Sequence, residues 1–203
     1  MIRAWNDKNE TVLDEMAEQL VRDQVIWGAS WGFVSDQGSR FKYAGKQGAV
    51  VPYCDRNVEV GMYYDLASLT KVIGTTTRVL QLVEKGVISL STPVKEILGR
   101  FSYEDVTVEH LLLHSSGLPA EIRNKESWSR ENLLEYLYTT PRERESGEGF
   151  LYSDVGFILL GEIVENLDET TLEETFREHI FNPLGMKDTS YLVRGSREPA
   201  PCR

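Results

Sequence analysis

The chain has 203 residues, 41% of them hydrophobic and 27% charged, with a net charge of −10, a balance ordinary for a globular fold with a real core. Its 22 basic residues are scattered among 32 acidic ones, so there is no basic patch of the kind that nucleic acids or anionic membranes demand. No nucleic-acid partner is expected. Met1 to Lys8 lead straight into a charged amphipathic segment rather than an apolar leader, and no stretch approaches the roughly 20 apolar residues of a membrane span; as written, the chain is expected to be cytoplasmic. Cys54 and Cys202 suggest no disulfide framework, and His110, His114 and His179 have no zinc-binding spacing. No metal and no organic cofactor are expected.

From Asn9 to Asp23, Val12, Met16 and Leu20 recur every four residues against acidic and polar neighbours, which predicts an amphipathic helix. Val25–Ser35, then Asp36-Gln37-Gly38-Ser39, then the alternating Arg40–Ala44 predict a β-hairpin with a glycine-containing turn. Residues 45–64 have no helical period and read as a loop. A helix is predicted from Val72 to Lys85, stopped by Gly86, and a brief one from Thr92-Pro93 to Leu98. Thr107 is placed to cap Val108–Leu113, which ends at His114-Ser115-Ser116-Gly117-Leu118-Pro119, and Ser129 to cap Arg130–Tyr138. After a charged loop over 141–149, Asp154 can cap the apolar helix Val155–Glu165. Thr171 with Glu174 forms a capping box for a last helix through Ile180. Residues 195–203 have no period and are expected to be an unstructured tail.

The stretch that carries chemistry is Ser68-Leu69-Thr70-Lys71. Residues three apart share a helix face, so Lys71 can reach the Ser68 hydroxyl. A partly desolvated amine in positive surroundings can be neutral enough to take the serine proton. Ser68 is expected at or just inside a helix N-terminus.

Four islands, Ser68–Lys71, His110–Pro119, Tyr152-Ser153-Asp154 and Asn182-Pro183-Leu184-Gly185-Met186, occur in the order and at spacings similar to those of the serine β-lactamase and penicillin-binding-protein superfamily. The chain most resembles its class C-like branch, which includes D-alanyl-D-alanine carboxypeptidases and β-lactamase-fold esterases, over about residues 9 to 193. The resemblance implies an α+β, β-lactamase/transpeptidase-like fold over residues 1–194. The N-terminal helix, hairpin and loop of its α/β part lie in 1–64, and a mostly helical part carries the site in 65–194. It also implies that Ser68 is the acyl-forming nucleophile, Lys71 its partner base and Tyr152 the second-motif phenol, with either Lys71 or Tyr152 as the general base. His114 and Ser116 are expected to hydrogen-bond their own loop rather than do chemistry.

Two departures matter. The second motif ends in Asp154 where Asn is commoner, and a carboxylate only accepts hydrogen bonds and adds negative charge. As a substrate-binding residue, Asp154 disfavours an anionic carboxylate, and an esterase or D-Ala peptidase is favoured over a β-lactamase. The third motif, a Lys-Thr-Gly or His-x-Gly strand, and the strands after it are not found in these residues. Losing one oxyanion donor costs about 100- to 1000-fold, so the chain as written is expected to be weakly active or inactive. Either it is the N-terminal part of a longer enzyme or a partner chain completes it, and the hairpin edge is open to cover by a second copy or a complementing chain. The leading expectation is a serine hydrolase acting through an acyl-enzyme on a small ester, amide or β-lactam carbonyl. The alternative is a non-catalytic binding or regulatory relative of the same fold.

Overall fold

A computed structural model of the chain describes residues 7–51, 53–122 and 128–192; the expected tail at 195–203 lies outside them. The chain divides into two compact units, one holding the described residues up to Leu66 and the other spanning Ala67–Leu192.

In the first unit, helix α1 (Asp7–Arg22) packs on a hairpin of β1 (Gly28–Ser35) and β2 (Gly38–Gly45). The strands are antiparallel, with Ser35 opposite Gly38, so the turn is the two-residue loop Asp36-Gln37, one of the loop lengths that suit strand twist. Trp31 and its cross-strand partner Lys42 both reach α1: the indole Nε1 donates to Asp14 Oδ1 at 2.9 Å, and Lys42 forms an ion pair with the same carboxylate. Lys42 and Trp31 together hold the Asp14 carboxyl below its usual pKa. Among the described residues the sheet has only these two strands, and Val34 and Phe41 are exposed on it. Within the expected loop at 45–64 the chain forms a short 3-10 turn, Tyr53–Asp55, and a bridge between Lys46 and Asn57.

The second unit is helical. A wide π stretch, Lys71–Thr76, leads into α2 (Thr77–Glu84); α3 (Val94–Ile97), α4 (Val108–Leu112), α5 (Arg130–Thr139), α6 (Asp154–Asp168) and α7 (Leu172–Phe176) follow. At its centre is α6, which is buried on several faces: Val155, Leu159, Leu160, Ile163 and Val164 have no exposed surface. A helix apolar nearly all round is one surrounded by others, and α2, α3, α4 and α7 all pack on it. Each such Leu or Ile contributes about 1.5–3 kcal/mol by leaving water. Thr107, Ser129 and Thr171 cap α4, α5 and α7 as expected, accepting from His110, Asn132 and Glu174 N–H. The cap of α6 differs. Its N-cap is Ser153, whose Oγ accepts from Gly156 N–H at 3.1 Å, and Asp154 is already the first helical residue. That one-residue shift frees the Asp154 carboxylate for another partner.

Between α2 and α6 lies a buried ion pair that the sequence did not suggest. Arg78 Nε and Nη2 donate to Asp168 Oδ2 and Oδ1 at 2.8 and 2.5 Å, with side chains 4% and 7% exposed. Thr175 Oγ1 donates to the same carboxylate at 3.1 Å, tying α7 to the pair. The α+β architecture, a small antiparallel sheet with its helix plus a helical part, agrees with the expectation.

Candidate active site

Ser68 is expected at a helix start and is found in the turn just before one, with Leu69 the first helical residue. Ala67 takes φ +45°, in the left-handed region, a conformation that costs an alanine about 1–3 kcal/mol and persists only where its surroundings hold it. The turn is closed by Thr70 N–H donating to Ala67 O at 3.0 Å and Lys71 N–H to Ser68 O at 3.1 Å. One turn on, Lys71 Nζ donates to Ser68 Oγ at 3.3 Å.

Lys71 opens the π stretch. At its far end Thr77 N–H and Oγ1 both bond Val72 O, the latter at 2.9 Å. The widened turn sits against α7: a Cβ on Gly74 would fall 2.5 Å from the Phe176 ring, so only glycine lets the backbone pass there.

The start of α6 faces this helix. Asp154 Oδ1 lies 2.8 Å from Lys71 Nζ; the lysine side chain is 17% exposed and the carboxylate 44%. No aligned hydrogen bond reaches that oxygen, so the contact is ionic. The Tyr152 phenol is close enough to the Ser68 and Lys71 side chains for both to lower its pKa, and Lys71 Nζ lies 5.2 Å from the Tyr152 ring centre. The four residues singled out in the sequence, Ser68, Lys71, Tyr152 and Asp154, therefore stand together in one unit.

Their electrostatics differ from the expectation for Lys71. Burial acts to lower its pKa, but the Asp154 carboxylate and the Tyr152 phenol outweigh it, and the net direction is upward. Lys71 is a firm cation beside a carboxylate rather than a neutral amine in positive surroundings. The Tyr152 phenol moves the other way: Ser68 and Lys71 pull its pKa below 10 against the opposing effects of burial and Asp154.

His114 packs against the phenol. It takes φ +54°, its Nδ1 accepts from Ser153 N–H at 2.9 Å, and its ring stacks on Tyr152 at 4.4 Å. The His114 side chain is expected to bond its own loop; it bonds the neighbouring segment instead. Burial and the Lys71 charge lower its pKa, against the pull of Asp154. Ser116 is wholly buried and its Oγ accepts from Leu118 N–H. Gly117, at φ +75°, has no room for a Cβ, which would fall 2.0 Å from Arg144 O. This pins the 114–119 turn to the segment before α6.

Beside Tyr152 and Asp154 opens a cavity of about 730 Å³, lined also by Trp128, Tyr136, Glu121 and Glu143. Sequence reasoning did not find its walls, because they come from three separate segments with no shared motif. Among the described residues, no group of His, Cys, Asp and Glu could hold a metal ion, and no helix is long and apolar enough to cross a membrane.

Comparison with known proteins bears on the family and the fold. The family model described as Beta-lactamase matches residues 13–201. A protein of Escherichia coli (strain K12) named "Putative D-alanyl-D-alanine carboxypeptidase" is 28% identical over 196 residues, which cover 87% of this chain and 43% of that protein. The octameric penicillin-binding protein homologue from Pyrococcus abyssi is 26% identical at a TM-score of 0.72, covering 90% of this chain and 44% of that one. A class C β-lactamase, 21% identical at a TM-score of 0.79, shares the fold over 97% of this chain and 54% of its own. The chain spans less than half the length of the curated relatives it matches. With the family model matched over nearly the whole chain and the fold shared, this chain belongs to the β-lactamase family, within the superfamily of serine β-lactamases and penicillin-binding proteins.

Proposed function

We propose that the chain carries the acyl-transfer centre of a serine hydrolase, with Ser68 as nucleophile, Tyr152 as general base and Lys71 as the cation that keeps the phenol acidic. The observation that supports this reading is Lys71 placed between the other two, its Nζ 3.3 Å from Ser68 Oγ and 5.2 Å from the Tyr152 ring centre, with the phenol lowered in pKa and the ammonium raised. Groups pushed apart in this way are suited to divided acid and base roles. The Tyr152 phenolate takes the Ser68 proton as Oγ bonds the carbonyl carbon. The phenol then returns a proton to the leaving oxygen or nitrogen as its bond to that carbon breaks, and water releases the acyl group by the same route.

Asp154 stands where it can meet substrate at the cavity, and its charge offsets that of Lys71. A substrate carboxylate therefore gains little there, which supports a neutral ester or an amine-bearing peptide as acyl donor over a β-lactam. The exposed apolar residues of the two-stranded hairpin support its cover by a second copy or a complementing chain.

The test is covalent labelling, which needs one acylation and no turnover. A fluorophosphonate is expected to label the chain on Ser68, with Ser68→Ala unlabelled and Tyr152→Phe slower by about 100- to 10,000-fold. A folded chain that stays unlabelled, or Ser68→Ala labelled as fast as the parent, overturns the hydrolase reading and favours a non-catalytic relative.

A further inference from the structure

The His110–Pro119 island is accounted for only in part by its role as a loop scaffold. His114 bonds the residues on both sides of Tyr152. Its carbonyl oxygen accepts from Leu151 N–H at 2.8 Å, and its Nδ1 accepts from Ser153 N–H at 2.9 Å. Between these two bonds its ring lies on the Tyr152 ring, 4.4 Å away and tilted by 30°. Phe150 and Phe157 enclose the imidazole from its other sides, at 5.7 and 5.0 Å. The left-handed backbone at His114 is what lets one residue present its carbonyl and its ring to the same segment.

We propose that His114 is a positioning residue for the reaction, a three-point clamp that holds the Tyr152 phenol against Ser68 and Lys71. The proposal rests on the hydrolase reading above for its catalytic meaning, although the clamp itself can be tested without activity. Because Nδ1 accepts a hydrogen bond, the ring must be neutral, with its proton on Nε2. A proton on Nδ1 removes the acceptor and breaks the hold on Ser153. The charged and titratable groups facing the ring are Lys71, from the start of the π stretch, and Tyr152 and Asp154, from the start of α6. Lys71 and burial favour the neutral ring, and Asp154 opposes them. The clamp is therefore closed at neutral pH and opens in acid.

Three substitutions separate the contacts. His114→Asn tolerates the left-handed backbone and keeps an acceptor near the Nδ1 position. His114→Phe keeps a ring face and loses the acceptor, and His114→Ala loses both. Misplacing a reacting group by about 1 Å costs roughly 100-fold. His114→Ala is therefore expected to slow fluorophosphonate acylation of Ser68 by about that factor, through the bond-forming rate and not through reagent affinity. His114→Asn and His114→Phe should fall between, and the further loss of rate on imidazole protonation, below the Tyr152 limb of the pH profile, should vanish in both.

A second readout is independent of labelling. The Ser153 amide proton, followed by NMR, should shift as His114 titrates in the parent and stay fixed in His114→Phe. The Tyr152 phenol, followed by ultraviolet difference against Tyr152→Phe, should move back toward its ordinary pKa of about 10 in His114→Ala. If the parent is not labelled but the amide and phenol respond as stated, the hydrolase reading fails and the clamp stands. If His114→Ala acylates at the parental rate across the pH range, or the Ser153 amide ignores the imidazole titration, the clamp is overturned.

Discussion

Replacing Asp154 by asparagine removes a full charge 2.8 Å from Lys71 Nζ while keeping nearly the same shape. In water-like surroundings two unit charges at that distance attract by about 1.5 kcal/mol. The carboxylate is 44% exposed, so solvent screening and side-chain entropy cut the net coupling to about 0.5–1 kcal/mol. At 1.36 kcal/mol per pH unit this is about half a pH unit. Its sign is fixed by the site: Asp154 raises the pKa of both the Lys71 ammonium and the Tyr152 phenol, so its loss lowers both. The reactive form needs the phenolate and the ammonium together. Both limbs of the pH profile for Ser68 acylation should therefore move toward acid in Asp154→Asn, the alkaline limb by about half a unit and the acid limb by less. Fluorophosphonate labelling rates between pH 6 and 11 measure both limbs. A profile that stays in place or moves toward alkali refutes the assignment of phenolate and ammonium.

Other substitutions probe the frame around the site. Asp168→Ala leaves Arg78 buried without its carboxylate and should cost about 3–5 kcal/mol in urea unfolding, whereas replacing both partners with apolar residues of similar volume should recover most of the loss. Burial opposes ionisation of Asp168, but Arg78 and Thr175 outweigh it and lower its pKa. The contribution of this pair is thus complete above the ordinary carboxyl range and lost as pH falls through the lowered folded value; a melting temperature flat across that acid range in the parent would contradict this. Gly74→Ala drives a methyl into the Phe176 ring and should cost about 1–3 kcal/mol, with Phe176→Leu in the same chain restoring part of the melting temperature. Ser153→Ala removes the cap of α6 and the bond to Pro119 O at 2.6 Å and should lower stability by about 1–2 kcal/mol by chemical denaturation.

The helices, their caps and the hairpin were legible because they are written in local patterns. Val12, Met16 and Leu20 repeat along α1, and Ser129 and Thr171 stand where a side-chain oxygen can meet an exposed N–H. Ser68 and Lys71 could be paired because helical spacing alone brings them together. Tyr152 and Asp154 could not be placed by spacing, and only the resemblance of the islands put them in the same site. The state of Lys71 was misread for the same reason: its nearest carboxylate lies far along the chain, so its charge partner depends on how α6 packs. Asp154 was taken for the helix cap because Asp and Ser are both good caps, and which of two neighbours serves is decided by tertiary bonds such as that from Ser153 to Pro119. Arg78 and Asp168 gave no signal, since each read alone is a surface residue by type.

The widened turn at Lys71–Thr76 also bears on how this segment tolerates changes in length. A π turn holds about one residue more than an α turn, and each residue of an α-helix advances about 100° around the axis. Removing one residue between Val72 and Thr76 can therefore be taken up by closing the wide turn to an ordinary α turn, which leaves Ser68 and Lys71 on nearly the same side relative to Arg78, Val79 and Leu82. The wide turn is one residue of slack ahead of the buried helix. Among homologous sequences, single-residue gaps should gather here even though the helix continues on both sides.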